Sequence, residues 1–239
     1  MKTLIVLPTF NEAENLPVLV RAIFSLEDSD ISLLVVDDNS PDGTGQIADK
    51  LAEEFPGRIT VMHRNGKQGL ASAYIQGFQQ ALKTDADAIG MMDSDFSHAP
   101  EKLPEMITAM ANADLVIGSR YVSGGSVDED WPFWRKALSA FGNFYARTIL
   151  GLPINDVTTG YRLWRSEKMR TFPLDKVLSS GYIFLVEMAY LAYKLGFRIT
   201  EVPIYFADRK WGESKMDLRI QLEAAFRVWQ VYFTHRNLD

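Results

Sequence analysis

The chain of 239 residues contains no cysteine. That excludes a disulfide-stapled scaffold and any thiolate metal site. It has only three histidines, His63, His98 and His235, which argues against a zinc site or a histidine-based hydrolase. There is no basic excess. Lys and Arg number 25 against 31 Asp and Glu, a net charge of −6, so nonspecific nucleic-acid binding is not expected. The most apolar long window, Gly181 to Phe197, is broken by Glu187 and Lys194 and is too short to span a bilayer. Met1-Lys2-Thr3 leads straight into a short apolar strand, with no signal segment, and neither internal repeats nor low-complexity stretches occur. What remains is a chain that is 47% hydrophobic, enough for one large globular domain over residues 1–239, soluble or at most seated on a membrane surface.

Through about Arg120, strand and helix patterns alternate with short loops. Thr3 to Pro8 is a continuous apolar strand of the kind buried in parallel sheets. A helix follows, for which Asn15 is the expected cap, with Leu16, Leu19, Val20 and Ile23 as its stripe. Strands are expected at Ser32 to Val36, Ile59 to Met62, Ala88 to Met92 and Leu115 to Gly118. Helices are expected at Thr44 to about Phe55, at Leu70 to Leu82 and from Pro100. This order predicts an α/β fold with a mostly parallel central sheet and helices on both faces. In open α/β sheets ligands bind at the carboxyl ends of strands. Polar loops follow three of the strands here: Thr9 to Glu12, Asp37 to Asp42, and Asp93 to His98.

The last of these carries the sharpest signal. Met92 ends an apolar run, and Asp93 and Asp95 follow one residue apart. Two carboxylates turned to one point beyond a strand suit a hard cation such as Mg²⁺, which keeps water and substrate phosphates in its remaining positions; an all-oxygen site suits Mn²⁺ as well. The same residues also suit a solvated, helix-capping turn.

Beyond Arg120 the pattern changes. Ser123 to Ser126 and the acidic Asp128-Glu129-Asp130 read as a mobile loop. Phe133 to Leu150 reads as a helix with an apolar stripe of Trp134, Leu138, Phe141, Tyr145 and Ile149. Beside it Arg135, Ser139 and Asn143 recur every fourth residue. That polar line is either a solvated face or a phosphate-binding line next to a lipid-facing one. Tyr161 to Trp164 and Ile199 to Pro203 are later strands, and Gly181 to Leu195 is a buried helix. Glu187 within it is either a partnered core acid or a group facing the site. Tyr205 to Lys215 is a polar loop with Arg209, Lys210 and Lys215. From Asp217 to about His235 a final helix sets Leu218, Leu222, Ala225, Trp229 and Tyr232/Phe233 on one side, for which core packing is the default and membrane docking the alternative.

Several of these segments resemble one family. Thr9-Phe10-Asn11-Glu12-Ala13-Glu14-Asn15-Leu16 and Val35 to Thr44 are similar to the nucleotide-binding segments of family 2 glycosyltransferases, and Met92 to His98 to their metal motif. Gly118-Ser119-Arg120-Tyr121, Trp131 to Lys136, Thr158 to Arg162 and Gly212 to Lys215 narrow the resemblance to dolichyl- or polyprenyl-phosphate mannosyltransferases, the polyprenol monophosphomannose synthases. The likeness runs over essentially the whole chain, in order. It implies a GT-A fold, with 1–120 as the nucleotide- and metal-binding half and 121–239 as the acceptor half. It implies inverting, metal-dependent transfer from GDP-mannose to a polyprenyl phosphate, giving a β-linked product and GDP. By position, Pro8, Phe10, Glu12, Val36 and Asp38 would hold the nucleoside. Asp93, Ser94 and Asp95 would meet donor and metal, with Ser97 at a third metal position. Arg120, Arg135 and Ser139 would bind the acceptor phosphate, and Arg209 and Lys215 the donor phosphates. A peripheral place on the cytoplasmic face of a membrane follows, with a separate membrane subunit as an open partner, since several relatives carry transmembrane helices after this domain.

The chemistry is consistent with that implication. Negative charge builds on a departing diphosphate, so cations should supply much of the catalysis. A phosphate monoester has a second pKa near ~6 and is already largely dianionic at neutral pH, so the acceptor needs no general base; Asp156 would be the base if one were required, and a turn residue otherwise. Other readings compete. UDP-glucose in place of GDP-mannose would leave the mechanism unchanged. A haloacid-dehalogenase-type phosphatase also places Asp-x-Asp after a strand, but gives the Asp37-Asp38 loop no role. A lipid-phosphate-binding module would need no metal. A dinucleotide-binding reading of Gly43 to Ala48 fails because Asp37, Asp38 and Asp42 would repel a pyrophosphate.

Overall fold

The computed structural model describes residues 1–27, 30–208 and 218–237, without the side chains of 218–224. Nine strands and eight helices are described: β1 (Thr3–Thr9), α1 (Asn15–Phe24), β2 (Ile31–Asp37), α2 (Thr44–Glu54), β3 (Ile59–His63), α3 (Leu70–Ala81), β4 (Ala88–Met91), α4 (Leu103–Ala109), β5 (Leu115–Ser119), β6 (Ser126–Val127), α5 (Phe133–Leu150), β7 (Arg162–Arg165), α6 (Ser166–Arg170), α7 (Ile183–Lys194), β8 (Ile199–Pro203), β9 (Tyr205–Phe206) and α8 (Leu218–His235).

Seven strands form one sheet in the order β3-β2-β1-β4-β7-β5-β8. All neighbours are parallel except β7, which runs antiparallel to both β4 and β5. Alternate side chains of β1 enter opposite cores: Leu4 and Val6 lie with α3 and α7, Ile5 and Leu7 with α1, α2 and α4. A strand apolar on both faces must be covered on both, so the sheet sits between two helical layers. Close approach does part of the work. A Cβ on Gly90 of β4 would overlap Ile5 of β1, and one on Gly77 of α3 would overlap Val6.

The chain leaves β1 toward β2 and β3 on one side, and β4 pairs with β1 on the other. Such a reversal opens a crevice at the carboxyl ends of the two strands, here at Pro8-Thr9 and at Met92-Asp93.

Three expectations are corrected. Asn15 is the first helical residue of α1, not its cap; Glu14 precedes it without a capping bond. Its Nδ2 instead donates to Glu12 Oε2 at 2.7 Å. The acidic loop at 128–130 is pinned: β6 pairs with β9, Asp128 accepts from the Asp208 amide at 2.8 Å, and Trp131 is buried. On both long amphipathic helices the core-packing reading is corrected in favour of the lipid-facing alternative weighed beside it: part of each apolar stripe faces outward, while Tyr145, Ile149 and Tyr232 still pack against the core. On α5, Asn143, Ala146 and Leu150 are buried, whereas Phe133, Trp134, Phe141 and Phe144 are 61% to 85% exposed. On α8, Val228, Val231 and His235 are buried, while Phe226, Trp229 and Phe233 are exposed.

Candidate active site

A cleft of about 480 Å³ opens at the β1/β4 crevice. Its floor and walls include Pro8, Phe10, Glu12, Asp38, Asp93, Ser94 and Asp95. The structure therefore brings the expected donor-side residues together, Val36 excepted. Val36 is fully buried in β2, paired with Pro8 in register, and lies beneath the cleft.

The three loops are built from their own short polar residues. Asp37 accepts from Ser40 Oγ at 2.6 Å, the Ser40 amide at 3.1 Å and Thr9 Oγ1 at 3.2 Å. Asp42 accepts from Thr44 Oγ1 at 2.6 Å and from the amides of Thr44 and Ala13. Burial alone would raise the Asp42 carboxyl, but these donors outweigh it and hold it below the usual range. The first loop is thus tied to the second: Asn11, Glu12 and Ala13 donate their amides to Ser40, Thr44 and Asp42. Asp38 organises a fourth loop. One oxygen takes the buried Arg64 guanidinium, and the other accepts the amides of Gln68 and Gly69. Gly69 itself has φ 89° and ψ 165°, a conformation essentially reserved for glycine.

Three non-glycine residues adopt left-handed backbone among the described residues: Asn11 (φ 61°), Asn39 (φ 58°) and Phe96 (φ 64°). One falls in each of the loops after β1, β2 and β4. Asparagine tolerates this conformation, but for a bulky residue such as Phe96 it is strained, and strain of this kind clusters at functional sites.

Asp95 is 6% exposed and accepts from the Ser97 amide at 3.1 Å and from Ser97 Oγ at 2.6 Å. Ser97, expected at a third metal position, is itself 1% exposed and donates its hydroxyl to Asp95; its visible work is to orient that acid. Ser94 Oγ donates to the Pro8 carbonyl at 3.1 Å, joining the two sides of the crevice. Asp93 has the Tyr74 hydroxyl 3.3 Å from Oδ1, and its amide donates to His98 Nδ1 at 2.9 Å. Burial, then the Asp93 carboxylate, push the Tyr74 hydroxyl well above its usual range; burial lowers the His98 imidazole. No group of three or more acids, histidines or cysteines forms a metal cage among the described residues. Asp93 and Asp95 both line the cleft, and two carboxylates without a cage fit Mg²⁺ or Mn²⁺, whose remaining positions go to water and substrate phosphates.

Arg120, Arg135 and Ser139, expected to bind the acceptor phosphate, are not among the residues lining this cleft. Arg120 is buried. Its Nε and Nη2 donate to both oxygens of Asp156 at 2.7 and 2.9 Å, and Nη2 also to Thr158 Oγ1 at 2.7 Å. Burial disfavours both charges, but each stabilises the other: Asp156 is held low and Arg120 raised. Asp156 is the counter-ion of Arg120 and also bonds within its own turn, as the turn reading expects, accepting from the Thr158 amide at 3.3 Å and Thr158 Oγ1 at 3.2 Å. Arg135 forks onto Asp208 at 3.2 and 3.3 Å and lies 3.7 Å over the Trp131 ring. Ser139 shares a 2.8 Å hydrogen bond with the Tyr121 hydroxyl, and Asn143 bonds the backbone of Asn155 and Val157. The polar line of α5 thus faces the protein. An aromatic chain links it to the acid loop: Trp131 packs on Phe206 at 5.8 Å, and Phe206 on His98 at 5.6 Å and beneath Arg120 at 5.2 Å. Arg209 and Lys215 lie outside the described residues.

Some cleft residues were not anticipated. Lys67 sits 3.9 Å over the Phe10 ring, and Ser180, Gly181, Tyr182 and Arg227 of α8 also line the cleft. Lys67 belongs to a basic, glycine-containing loop before a helix, a signal visible in the sequence; Arg227 gives none. Glu187 is the partnered core acid. It accepts from the amides of Leu178 and Ser179 and lies 2.6 Å from His235 Nε2.

Residues 4–172 match the family described as glycosyl transferase family 2. A polyprenol monophosphomannose synthase of Mycolicibacterium smegmatis is 46% identical over 228 residues, 95% of this chain and 85% of that protein. An undecaprenyl-phosphate mannosyltransferase of Micrococcus luteus is 47% identical over 229 residues, 95% of this chain and 93% of that protein. Among solved structures, glucosyl-3-phosphoglycerate synthase of Mycobacterium tuberculosis, in complex with Mn²⁺, UDP and phosphoglyceric acid, superposes with a TM-score of 0.68 at 17% identity. The match covers 100% of this chain and 79% of that one, and establishes the shared GT-A fold. A mostly parallel sheet whose strand order reverses at a carboxylate-lined crevice, and a sequence that matches over most of its length, lead to one conclusion: this chain belongs to glycosyl transferase family 2.

Proposed function

We propose that the chain transfers mannose from GDP-mannose to a polyprenyl phosphate, releasing GDP. The observation that carries this reading is the 46–47% identity, over 95% of the chain, with two proteins named for polyprenyl-phosphate mannosylation. The donor nucleoside lies against Pro8, Phe10, Glu12 and Asp38, above Val36, and its diphosphate reaches Asp93, Ser94 and Asp95. Asp93 and Asp95 would hold Mg²⁺ or Mn²⁺, which would supply positive charge against the leaving diphosphate. Arg209 and Lys215, with Arg227 at the cleft, are the cationic partners of that group. Arg120 and Arg135 receive the acceptor phosphate, with Ser139 beside them. An already dianionic phosphate oxygen attacks the anomeric carbon from the face opposite the diphosphate, so no side chain has to take a proton.

A membrane surface supplies the acceptor. No helix among the described residues is long and apolar enough to cross a membrane. Helices α5 and α8 lie side by side, and their exposed aromatics form a continuous strip. Phe141 packs on Tyr145 at 6.2 Å, Trp229 Nε1 donates to the Tyr145 hydroxyl at 3.0 Å, and Trp229 packs on Phe233 at 6.1 Å. Exposed apolar patches of this extent mark docking surfaces, and an aromatic face beside phosphate-binding arginines suits a lipid headgroup boundary. The reading places the chain peripherally on the cytoplasmic face.

The test is direct. The purified chain is incubated with labelled GDP-mannose, Mn²⁺ and detergent-dispersed polyprenyl phosphate, and label is counted in the organic phase. Metal-dependent label is expected, abolished by EDTA. Label from UDP-glucose alone would keep the mechanism and change the donor. Phosphate release from simple phosphomonoesters, with no transfer, would overturn the reading.

A further inference from the structure

His98 is fully buried, and its position is fixed on every side. Its ring stacks on Tyr161 at 4.9 Å, meets the edge of Phe206 at 5.6 Å, and its backbone bridges to that of Phe206. Because Nδ1 accepts the Asp93 amide at 2.9 Å, the proton of the uncharged ring is on Nε2. That Nε2 is buried and has no hydrogen-bond partner, which for a buried donor is a standing destabilisation. The nearest carboxylate oxygen is Asp93 Oδ2, 4.0 Å away. The His98 side chain is fully enclosed, whereas that of Asp93 is 34% exposed at the cleft. On the other side of the same carboxylate, the Tyr74 hydroxyl stands 3.3 Å from Oδ1. Asp95, by contrast, is already pinned by Ser97.

We propose that His98 and Tyr74 are positioning residues for Asp93, a fork of two uncharged donors that aims its carboxylate at the divalent cation. The inference rests on the metal-assisted transfer proposed above. Uncharged donors suit the task for an electrostatic reason. A lysine or arginine in their place would orient the acid and also cancel the charge that attracts the metal, whereas a hydroxyl and an imidazole N–H orient it and leave the charge in place. The orphaned Nε2 is then a partner held ready for Asp93 in its metal-bound position.

The test is Mn²⁺ affinity, measured by paramagnetic resonance of the free ion, without sugar donor or lipid. His98→Asn keeps an acceptor for the Asp93 amide and removes the Nε2 donor. His98→Gln returns an amide donor near that place. Tyr74→Phe removes only a hydroxyl. His98→Asn and Tyr74→Phe are each expected to weaken Mn²⁺ binding by roughly 10- to 100-fold, with His98→Gln recovering most of the loss. Tyr74→Phe keeps the fully buried ring, so it remains informative if the His98 variants unfold. Nitrogen-15 NMR of the metal-free protein is expected to show His98 protonated at Nε2. Variants that fold and bind Mn²⁺ as tightly as the parent would overturn the fork alone, as would a proton on Nδ1. A parent chain that binds no Mn²⁺ would overturn the metal reading and the fork with it.

Discussion

The two sides of the site are held together in opposite ways. On the nucleotide side, Asp37, Asp42 and Asp95 are bonded by hydroxyls and amides of their own loops. Asp38, with its buried Arg64, is the exception. On the proposed acceptor side the residues are cations, and each is held by a carboxylate far away in sequence: Arg120 by Asp156, Arg135 by Asp208. The surfaces differ too. Apolar side chains of the nucleotide half go into the two cores, whereas α5 and α8 leave a row of aromatics uncovered. Local hydroxyl and amide bonds fix an acid without neutralising it, which suits a site that receives a cation. A carboxylate partner keeps the buried Arg120 ionised and in place, which suits a site proposed to receive an anion.

The contrast can be broken at several points. Asp95→Asn removes one charge from the side built to keep it; transfer is expected to fall by at least ~10³-fold with little change in melting temperature, checked by initial rates and calorimetry. Asp156→Ala strikes the other side and acts on stability: leaving Arg120 buried and unpaired costs about 3–5 kcal/mol, read from urea unfolding. The double variant Phe226→Ser/Phe233→Ser tests the uncovered aromatics. Each side chain contributes about 1.5 kcal/mol or more when buried, so vesicle sedimentation should show roughly 100-fold weaker binding with an unchanged fold. Arg135→Ala should raise KM for the lipid acceptor by about tenfold and leave KM for the donor alone, because its pair with Asp208 is partly exposed and contributes little to stability. The smallest effect belongs to a pair outside both sides. Hydrogen bonds from Arg198 hold Asp114 down to about 2, from 3.8. A depressed carboxylate contributes stability above its unfolded value and loses it as the folded form is protonated, so this contribution is complete above pH 4 and lost as pH falls toward 2. Arg198→Ala should flatten that acid limb only slightly, since the arginine is largely exposed, and the change is read from urea midpoints at the two pH values.

Much of the nucleotide side was legible because it is local. Alternating strands and helices put Pro8, Asp38 and Asp93 at strand ends, and strand ends in a parallel sheet share one edge. β8 (Ile199–Pro203) and α5 (Phe133–Leu150) fall where the pattern places them, and β7 begins one residue later than expected. The helix faces were not legible. Periodicity shows that α5 has an aromatic stripe and a polar stripe, but not which one turns inward, and the expectation that apolar residues pack inside has no force where the aromatics stay uncovered. Nor could spacing reveal that Arg120 finds Asp156, or that Glu187 finds His235 across 48 residues. His98 was visible as a letter of the motif; its role depends on an amide five residues back and on rings from two other strands or their ends.

The left-handed backbone at Asn11, Asn39 and Phe96 bears on how this cleft can be diversified. A library that randomises the three loops meets a conformational filter before any chemical one. Glycine and asparagine pass at all three positions, and β-branched residues such as valine and isoleucine do not. At position 96 the present occupant is itself a poor passer, so survivors there should be enriched in glycine and asparagine wherever the lost packing of the ring is tolerated. The shape of the accessible sequence space around the nucleotide is set by three φ angles as much as by the donor it receives.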